Sequence, residues 1–500
     1  MKDETKIISG YQLVVCYIGA FIFMMGIIML LPLLALFFFP SEKVYAINFI
    51  IPSVLCLVVG GLTYMPLKLY PHGNLEKQQD AVLVVMIWLT CIIVGTIPFL
   101  LTKNYTLIEC LFEMTSGFST TGLTIIYYDI TPQIYLFYRS ICEFVGGVGF
   151  ILILTCIMSD RYGLKIYTSE GHSDRLLPNL AKSARLIFGI YCGYILVGAI
   201  AYTLCGMTFF DGLNHAMAAV SNGGFSTKAE NIAYYSSWDT GFAIELISIA
   251  LMVLGSINFL IHLYIITGKA KKVINHAETK FFLICAVPSI ALMTFFGYVA
   301  GQTGFEGFRK SLFQLVTACT TTGFQTVSDF RVLGQASIYF MIILMIIGGG
   351  LGSAAGGLKQ YRVVIALKSI YYSIRDSVSS PKVIRANYIT QAGATKRLTD
   401  KEIQSTLSFI TLWIVTLLVG SLMLSFVAQR YGFTLGDCIF EFTSALSGTG
   451  ISIGIAATHN QYMLFILSIG MFLGRLEITV VLISLGKIVT DFFKSLKTKK

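Results

Sequence analysis

Ten times along its 500 residues the chain runs for about twenty residues with almost no charge, the length an α-helix needs to cross a bilayer at 1.5 Å per residue. The runs fall near 11–39, 46–67, 81–101, 134–158, 186–206, 236–267, 280–300, 334–358, 404–428 and 461–486. So much apolar sequence cannot be hidden beneath a wet surface. The chain is 55% hydrophobic and 12% charged, against about 25% charged for a soluble domain. Soluble enzymes, soluble nucleic-acid binders and disordered chains are excluded. The expectation is an all-α polytopic membrane protein.

The net charge of +10 is a topology signal here, because the charges sit between the spans. With the N-terminus inside, inner segments hold 27 Lys and Arg and outer segments hold eight, with Arg475 left inside a span. This bias predicts a multi-pass protein of the plasma (inner) membrane with both termini cytoplasmic. The basic cytoplasmic loops suit anionic lipid headgroups, and no nucleic-acid partner is expected. The eleven cysteines show no CxxC spacing and read as small apolar packing residues.

Four connections on the outer side carry a short apolar stretch followed by Gly, Thr and Ser. They are LIECLFEMTSGFSTTGLT (107–124), FDGLNHAMAAVSNGGFST (210–227), RKSLFQLVTACTTTGFQT (309–326) and LGDCIFEFTSALSGTGIS (435–452). Each is too short to span and reads as a re-entrant half-helix, tolerated only against protein or a water-filled cavity. Aligned on Gly122, Gly224, Gly323 and Gly450, all four carry a polar residue nine positions upstream: Glu113, His215, Gln314 and Glu441. The chain therefore divides into two N-terminal spans (1–70), pore repeats at 80–158, 186–268, 280–370 and 404–490, and a cytoplasmic loop at 371–403.

Four span–pore helix–span units can close around one pore with pseudo-fourfold symmetry. Each half-helix would end in the membrane with about half a negative charge from its free carbonyls. Four such ends, with four loops of backbone oxygen, suit a hard monovalent cation such as potassium, which needs several neutral oxygens in place of water. Glycine suits the turn because it accepts positive φ. The expected filter is Thr120, Thr121 and Gly122, then Asn222, Gly223 and Gly224, then Thr321, Thr322 and Gly323, then Gly448, Thr449 and Gly450. Potassium at this filter is the metal expected, as the transported ion, and no covalent cofactor is expected. Glu109, Glu113, Asp211, Asp437 and Glu441 are expected near the outer mouth. Arg139 and Glu143, four apart, could pair along one helix face.

The third outgoing span contains GGGLGSAAGGLK, with six glycines between Gly348 and Gly357. Each costs a helix interior about 1 kcal/mol relative to alanine, so the helix should break here. Arg475 follows a long uncharged run, and a charge so placed usually faces protein or water.

TSGFSTTGLT, SNGGFST, TACTTTGFQT and SALSGTGIS resemble the four pore loops of the Trk/Ktr/HKT superfamily of potassium transporters. GGVGF (146–150), LGSINFLIHLY (254–264), GGGLGSAAGGLK (348–359) and GRLE (474–477) resemble it too, and the two extra N-terminal spans make the chain more similar to the TrkH type than to the KtrB type. The resemblance covers about residues 80 to 490. It implies potassium uptake, with an intramembrane gate at Gly348, Gly349, Gly350, Gly352, Ser353, Gly356 and Gly357, and with Arg475 near the pore below the filter. It also implies a homodimer and a cytosolic TrkA-type subunit, which would carry the only nucleotide, since this chain has no Walker A or Rossmann fingerprint. A sodium- or proton-coupled symporter is the alternative. A polytopic membrane enzyme would need a polar cluster at one membrane face, and none is seen.

Overall fold

The structure is a computed structural model, and it describes residues 7–71, 73, 75–149, 180–379, 387–391 and 394–498. The protein is an all-α polytopic membrane protein. Among the described residues, six helices are long and apolar enough to cross a membrane, and two further pairs pass together but are sharply bent.

Helices α1 (Gly10–Ile28) and α2 (Ile47–Tyr64) form an antiparallel pair. Small residues let their backbones touch, as is common between membrane helices. A methyl group at Gly60 would overlap the backbone of Phe23, and Ser53 Oγ donates to Gly26 O at 2.6 Å.

The remaining helices fall into four successive sets of the same order: a long helix, a short helix, a loop and an outgoing helix. The first set is α3 (Gln79–Leu100), α4 (Leu107–Phe118) and α5 (Gln133–Val148). The second is α6 (Leu180–Leu204), α7 (Phe209–Ser221) and α8 (Gly241–Ser256), with α9 (Phe259–Ile266) continuing after a bend. The third is α10 (Ala277–Val299), α11 (Gly304–Thr320) and α12 (Gln335–Ile347), followed by α13 (Gln360–Val378). The fourth is α14 (Asp400–Ala428), α15 (Leu435–Ser447) and α16 (Gln461–Leu476), continued by α17 (Ile478–Thr498).

The short helices start alike. Thr106, Thr208, Thr303 and Thr434 are their N-caps. Thr106 and Thr434 form full capping boxes with Glu109 and Asp437, and Thr208 accepts the Asp211 N–H. The third helix begins one turn earlier than the others relative to its glycine, and the Thr303 side chain makes no cap bond.

Two expected spans are not continuous. The runs at 236–267 and 461–486 break at Ile257–Asn258 and at Glu477, with bends of 112° and 97°. Averaged hydropathy could not reveal this, because long apolar stretches flank Ser256 and Asn258 at the first corner and Arg475 and Glu477 at the second. The span expected at 334–358 stops at Ile347, as its glycines require. That expected at 134–158 runs beyond residue 149, outside the described residues. The segment 371–403 is also more than a loop. Helix α13 extends to Val378, and strands β1 (Tyr388–Gln391) and β2 (Ala394–Arg397) pair antiparallel with Tyr388 opposite Arg397. Ile389 and Leu398 of this hairpin share a small apolar cluster with Tyr361, Ile365 and Leu351.

Candidate functional site

The four short helices end in one and the same backbone motif. The residue two before each aligned glycine is left-handed: Thr120 (φ 55°), Asn222 (53°), Thr321 (51°) and Gly448 (66°). The N–H one residue later reaches back five positions, from Thr121 to Ser116 O, Gly223 to Ala218 O, Thr322 to Thr317 O and Thr449 to Ser444 O, at 2.8–3.0 Å. This is a Schellman cap, made mostly without the glycine that normally occupies its left-handed position. Threonine is unfavourable there, so the surroundings must hold Thr120 and Thr321 in place.

Those surroundings are the other loops. Gly122, Gly224, Gly323 and Gly450 all have φ between 80° and 92°. A methyl group added at Gly122 would overlap the Gly223 carbonyl oxygen. One at Gly224 would overlap Thr322 O, one at Gly323 would overlap Thr449 O, and one at Gly450 would overlap Thr121 O. The order runs first loop to second, second to third, third to fourth and fourth to first. The twelve residues expected as a filter thus form a closed ring of backbone, each quarter packed too tightly against the next to admit a Cβ.

Hydroxyls brace three quarters of the ring. Ser119 with Thr121, Thr320 with Thr322 and Ser447 with Thr449 are hydroxyl pairs at 2.6–2.7 Å. The polar residues nine before each glycine brace the chain beyond it. Glu113 accepts from Thr124 Oγ1 and Ile125 N, His215 meets Ser226 Oγ at 2.9 Å, Gln314 donates to Thr326 Oγ1, and Glu441 accepts from Ser452 Oγ, Ile453 N and Ala456 N.

This changes the expectation for the carboxylates. Glu113, Asp211 and Glu441 are buried, the Glu109 and Asp437 carboxylates cap their helices, and the Asp211 carboxylate accepts from Thr227 Oγ1 and pairs with Lys228. Arg139 does not pair with Glu143. It is fully buried and bridges loops one and two, donating to Glu113 Oε1 at 2.8 Å, Thr124 Oγ1 at 2.9 Å and Ser226 O at 3.0 Å. Glu143 instead accepts the Phe225 N–H at 3.1 Å.

The outgoing helices stop close to the ring. Helix α5 ends at Gly149, α8 turns at Ile257, α12 stops at Gly348 and α16 turns at Glu477. The third break opens into an irregular, turn-rich segment, Gly348 to Lys359, which is fastened on several sides. Gly350 N donates to Ser256 O, Ala354 N to Gly255 O, Gly356 N to Thr321 Oγ1 and Gly357 N to Ser447 O. Glu278 Oε1 accepts the Leu351 N–H at 2.6 Å. Arg475 closes the assembly. Its guanidinium donates to Ala354 O of the segment (3.0 Å), to Thr120 Oγ1 of the first loop (3.3 Å), and to Gly147 O (3.3 Å) and Gly146 O at the end of α5.

The family model of TrkH, described as a cation transport protein, matches residues 46–493. The chain belongs to the TrkH family. It is 29% identical to an uncharacterized cation transporter of Methanocaldococcus jannaschii, over 97% of this chain and 96% of that one. It is 29% identical to the Trk system potassium uptake protein TrkG of Escherichia coli, over 95% and 98%. The crystal structure of the potassium transporter TrkH from Vibrio parahaemolyticus has the same fold, with a TM-score of 0.81, 23% identity, and 95% and 98% of the two chains covered. Membership in a family of transport proteins places this chain outside the enzymes. The four motifs GGVGF, LGSINFLIHLY, GGGLGSAAGGLK and GRLE that suggested this family are the four places where the outgoing helices break.

The sequence carried a signal that hydropathy did not use. Thr-x-x-Glu or Thr-x-x-Asp stands sixteen residues before the glycine at Thr106, Thr208 and Thr434, and it marks where each short helix starts.

Proposed function

We propose that this protein takes up potassium across the plasma membrane, down the electrochemical gradient, through the ring of four loops. The observation that carries the reading is the closed order of contacts among Gly122, Gly224, Gly323 and Gly450. Four helix C-termini end at this ring, so their partial negative charges favour a cation. The oxygens on offer belong to backbone and hydroxyl groups, which suit an ion that sheds its water into neutral ligands. The potassium uptake named for TrkG supports potassium as that cation.

In this reading residues 80–158, 186–268, 280–370 and 404–490 are the four pore repeats, and both termini lie in the cytoplasm. The segment Gly348 to Gly357 is the gate and Arg475 its positively charged latch. A cytosolic TrkA-type subunit that binds nucleotide regulates the gate from the side of α13 and the β-hairpin, whose apolar cluster reaches Leu351. The transporter works as a homodimer with one pore in each protomer.

The test is ion flux in liposomes with Gly122, Gly224, Gly323 and Gly450 each changed to Ser. A side chain at any of them meets backbone and strains a positive φ, so discrimination between potassium and sodium should fall in each variant. Unchanged discrimination in all four would overturn the filter. Reversal potentials that follow a sodium or proton gradient would show a symporter instead. The natural chain should also rescue a potassium-uptake-deficient strain on low potassium.

A further inference from the structure

The ring has one quarter built differently. Three loops have Thr immediately before the aligned glycine, at 121, 322 and 449, each with its hydroxyl paired to a hydroxyl two residues earlier. The second loop keeps the earlier hydroxyl, Ser221, but has Gly223 where the threonine would stand. Ser221 Oγ turns back to Met217 O at 2.7 Å.

Gly223 does not need to be glycine for its backbone, because its φ is not positive. What forbids a side chain is Glu143. A Cβ built on Gly223 would overlap the Glu143 carboxyl group, which arrives from α5, an element of the first repeat. Glu143 is fully buried. One carboxyl oxygen accepts the N–H of Phe225, the residue just after the aligned glycine of this loop, at 3.1 Å. The other, Oε2, is buried with no hydrogen-bond partner among the described residues. A buried carboxyl oxygen left unsatisfied is costly and calls for a reason other than packing. The ring of the same Phe225 lies under Arg139, 4.2 Å from its guanidinium. Successive turns of α5 therefore grip the second loop by its backbone and by its side chain.

We infer that Glu143 is the positioning residue of the second loop. It occupies the slot that a threonine side chain fills in the other three loops, and it fixes how closely that quarter of the ring fits the transported ion. The inference rests on the ring being the filter.

The test is a set of variants of the full chain in liposomes, read as potassium flux and potassium-over-sodium discrimination. Glu143→Ala removes the acceptor of the Phe225 N–H and should lower discrimination by about fivefold, the scale of one net hydrogen bond. Glu143→Gln keeps an acceptor oxygen of the same shape and should stay within about twofold of the natural chain. Gly223→Thr alone collides with Glu143 and should lose discrimination. Gly223→Thr with Glu143→Ala opens the slot for a threonine that can pair with Ser221, and should recover discrimination relative to either single change. Natural discrimination in Glu143→Ala would overturn the inference. So would Gln behaving like Ala, or a double variant no better than the singles. Should Gly223→Thr fail to fold, the contrast of Gln with Ala decides alone. Discrimination lost in the Gly122→Ser variant but kept in Glu143→Ala would sink this inference and leave the filter standing. Discrimination kept in all four glycine variants would sink both.

Discussion

Replacing Arg475 by Ala should raise potassium flux. The guanidinium stands 3.3 Å from Thr120 Oγ1 of the first loop, so an ion held by that loop's oxygens lies roughly 6 Å from the positive charge. Coulomb's law puts the repulsion at about 2.8 kcal/mol for an effective dielectric of about 20, and at about 0.7 kcal/mol if pore water screens it fully. Removing the charge therefore speeds a barrier-limited flux by about threefold to about a hundredfold. The same change releases the Ala354 carbonyl from Arg475, which loosens the gating segment and acts in the same direction. The assay is tracer uptake into proteoliposomes at matched protein content, with Arg475→Lys as the variant that keeps the charge. Lys should remain near the natural rate. An unchanged or lower flux in Arg475→Ala would refute the argument, because both consequences of the substitution have the same sign.

Three further outcomes follow from the same geometry. Gly356→Ala drives a methyl group into the Ser447 carbonyl, which should lift the gating segment off the fourth loop and raise basal leak by about fivefold, the worth of the Gly357–Ser447 hydrogen bond; a leak at or below the natural level would contradict this. Arg139→Gln leaves Glu113 buried without its ion pair and should cost about 3–5 kcal/mol of stability, read as a large fall in melting temperature in detergent. At the N-terminal end of α4, outside the spans, burial pushes the Glu109 carboxyl up, but the Thr106 N–H, the His459 ring and the Thr106 hydroxyl outweigh it and hold it below its ordinary 4.5. The unfolded chain then binds the proton more readily, so this group's contribution is complete above that value and is lost as pH falls through the lowered one. Melting temperature against pH should show this loss in the natural chain and not in Glu109→Gln.

Much of the architecture was legible because membrane helices announce themselves by length and apolarity. The four glycines were legible for a different reason: a backbone that must touch another backbone at positive φ leaves glycine little competition, so the requirement is written at single positions. The corners at Ile257 and Glu477 were not. Each corner holds only a pair of polar residues within a long apolar run, Ser256 and Asn258 at the first and Arg475 and Glu477 at the second, and these carry no mark of a bend comparable to the six glycines of the third break. The burial of Glu113 and Glu441 was not legible either, because the loop N–H and hydroxyl groups that meet each carboxylate come from eleven or twelve residues later. The Arg139–Glu143 spacing was right for a helical pair, but each side chain found better partners on a neighbouring loop.

The asymmetry of the four breaks bears on how the proposed gate is controlled. The third is spread over a dozen residues and is held by the second and fourth breaks, by loops three and four and by α10. Among the described residues, seven hydrogen bonds tie the segment to elements other than the two helices it joins: Gly350 to Ser256, Leu351 to Glu278, Gly352 to Phe259, Ala354 to Gly255 and to Arg475, Gly356 to Thr321, and Gly357 to Ser447. At about 0.5–1.5 kcal/mol net each, already measured against exchange with water, moving the segment aside costs about 4–10 kcal/mol. Turning a population from 1:99 to 99:1 takes about 5.5 kcal/mol of differential binding, so a regulator that opens this gate must supply an input of that order. The lever available to it is apolar. Leu351 is buried in one cluster with Tyr361 and Ile365 of α13 and with Ile389 and Leu398 of the hairpin, so a partner that shifts the hairpin would pull on the proposed gate at Leu351, at the Glu278 bond. A chain lacking that partner should leak slowly, because nothing else within it offsets seven bonds at once.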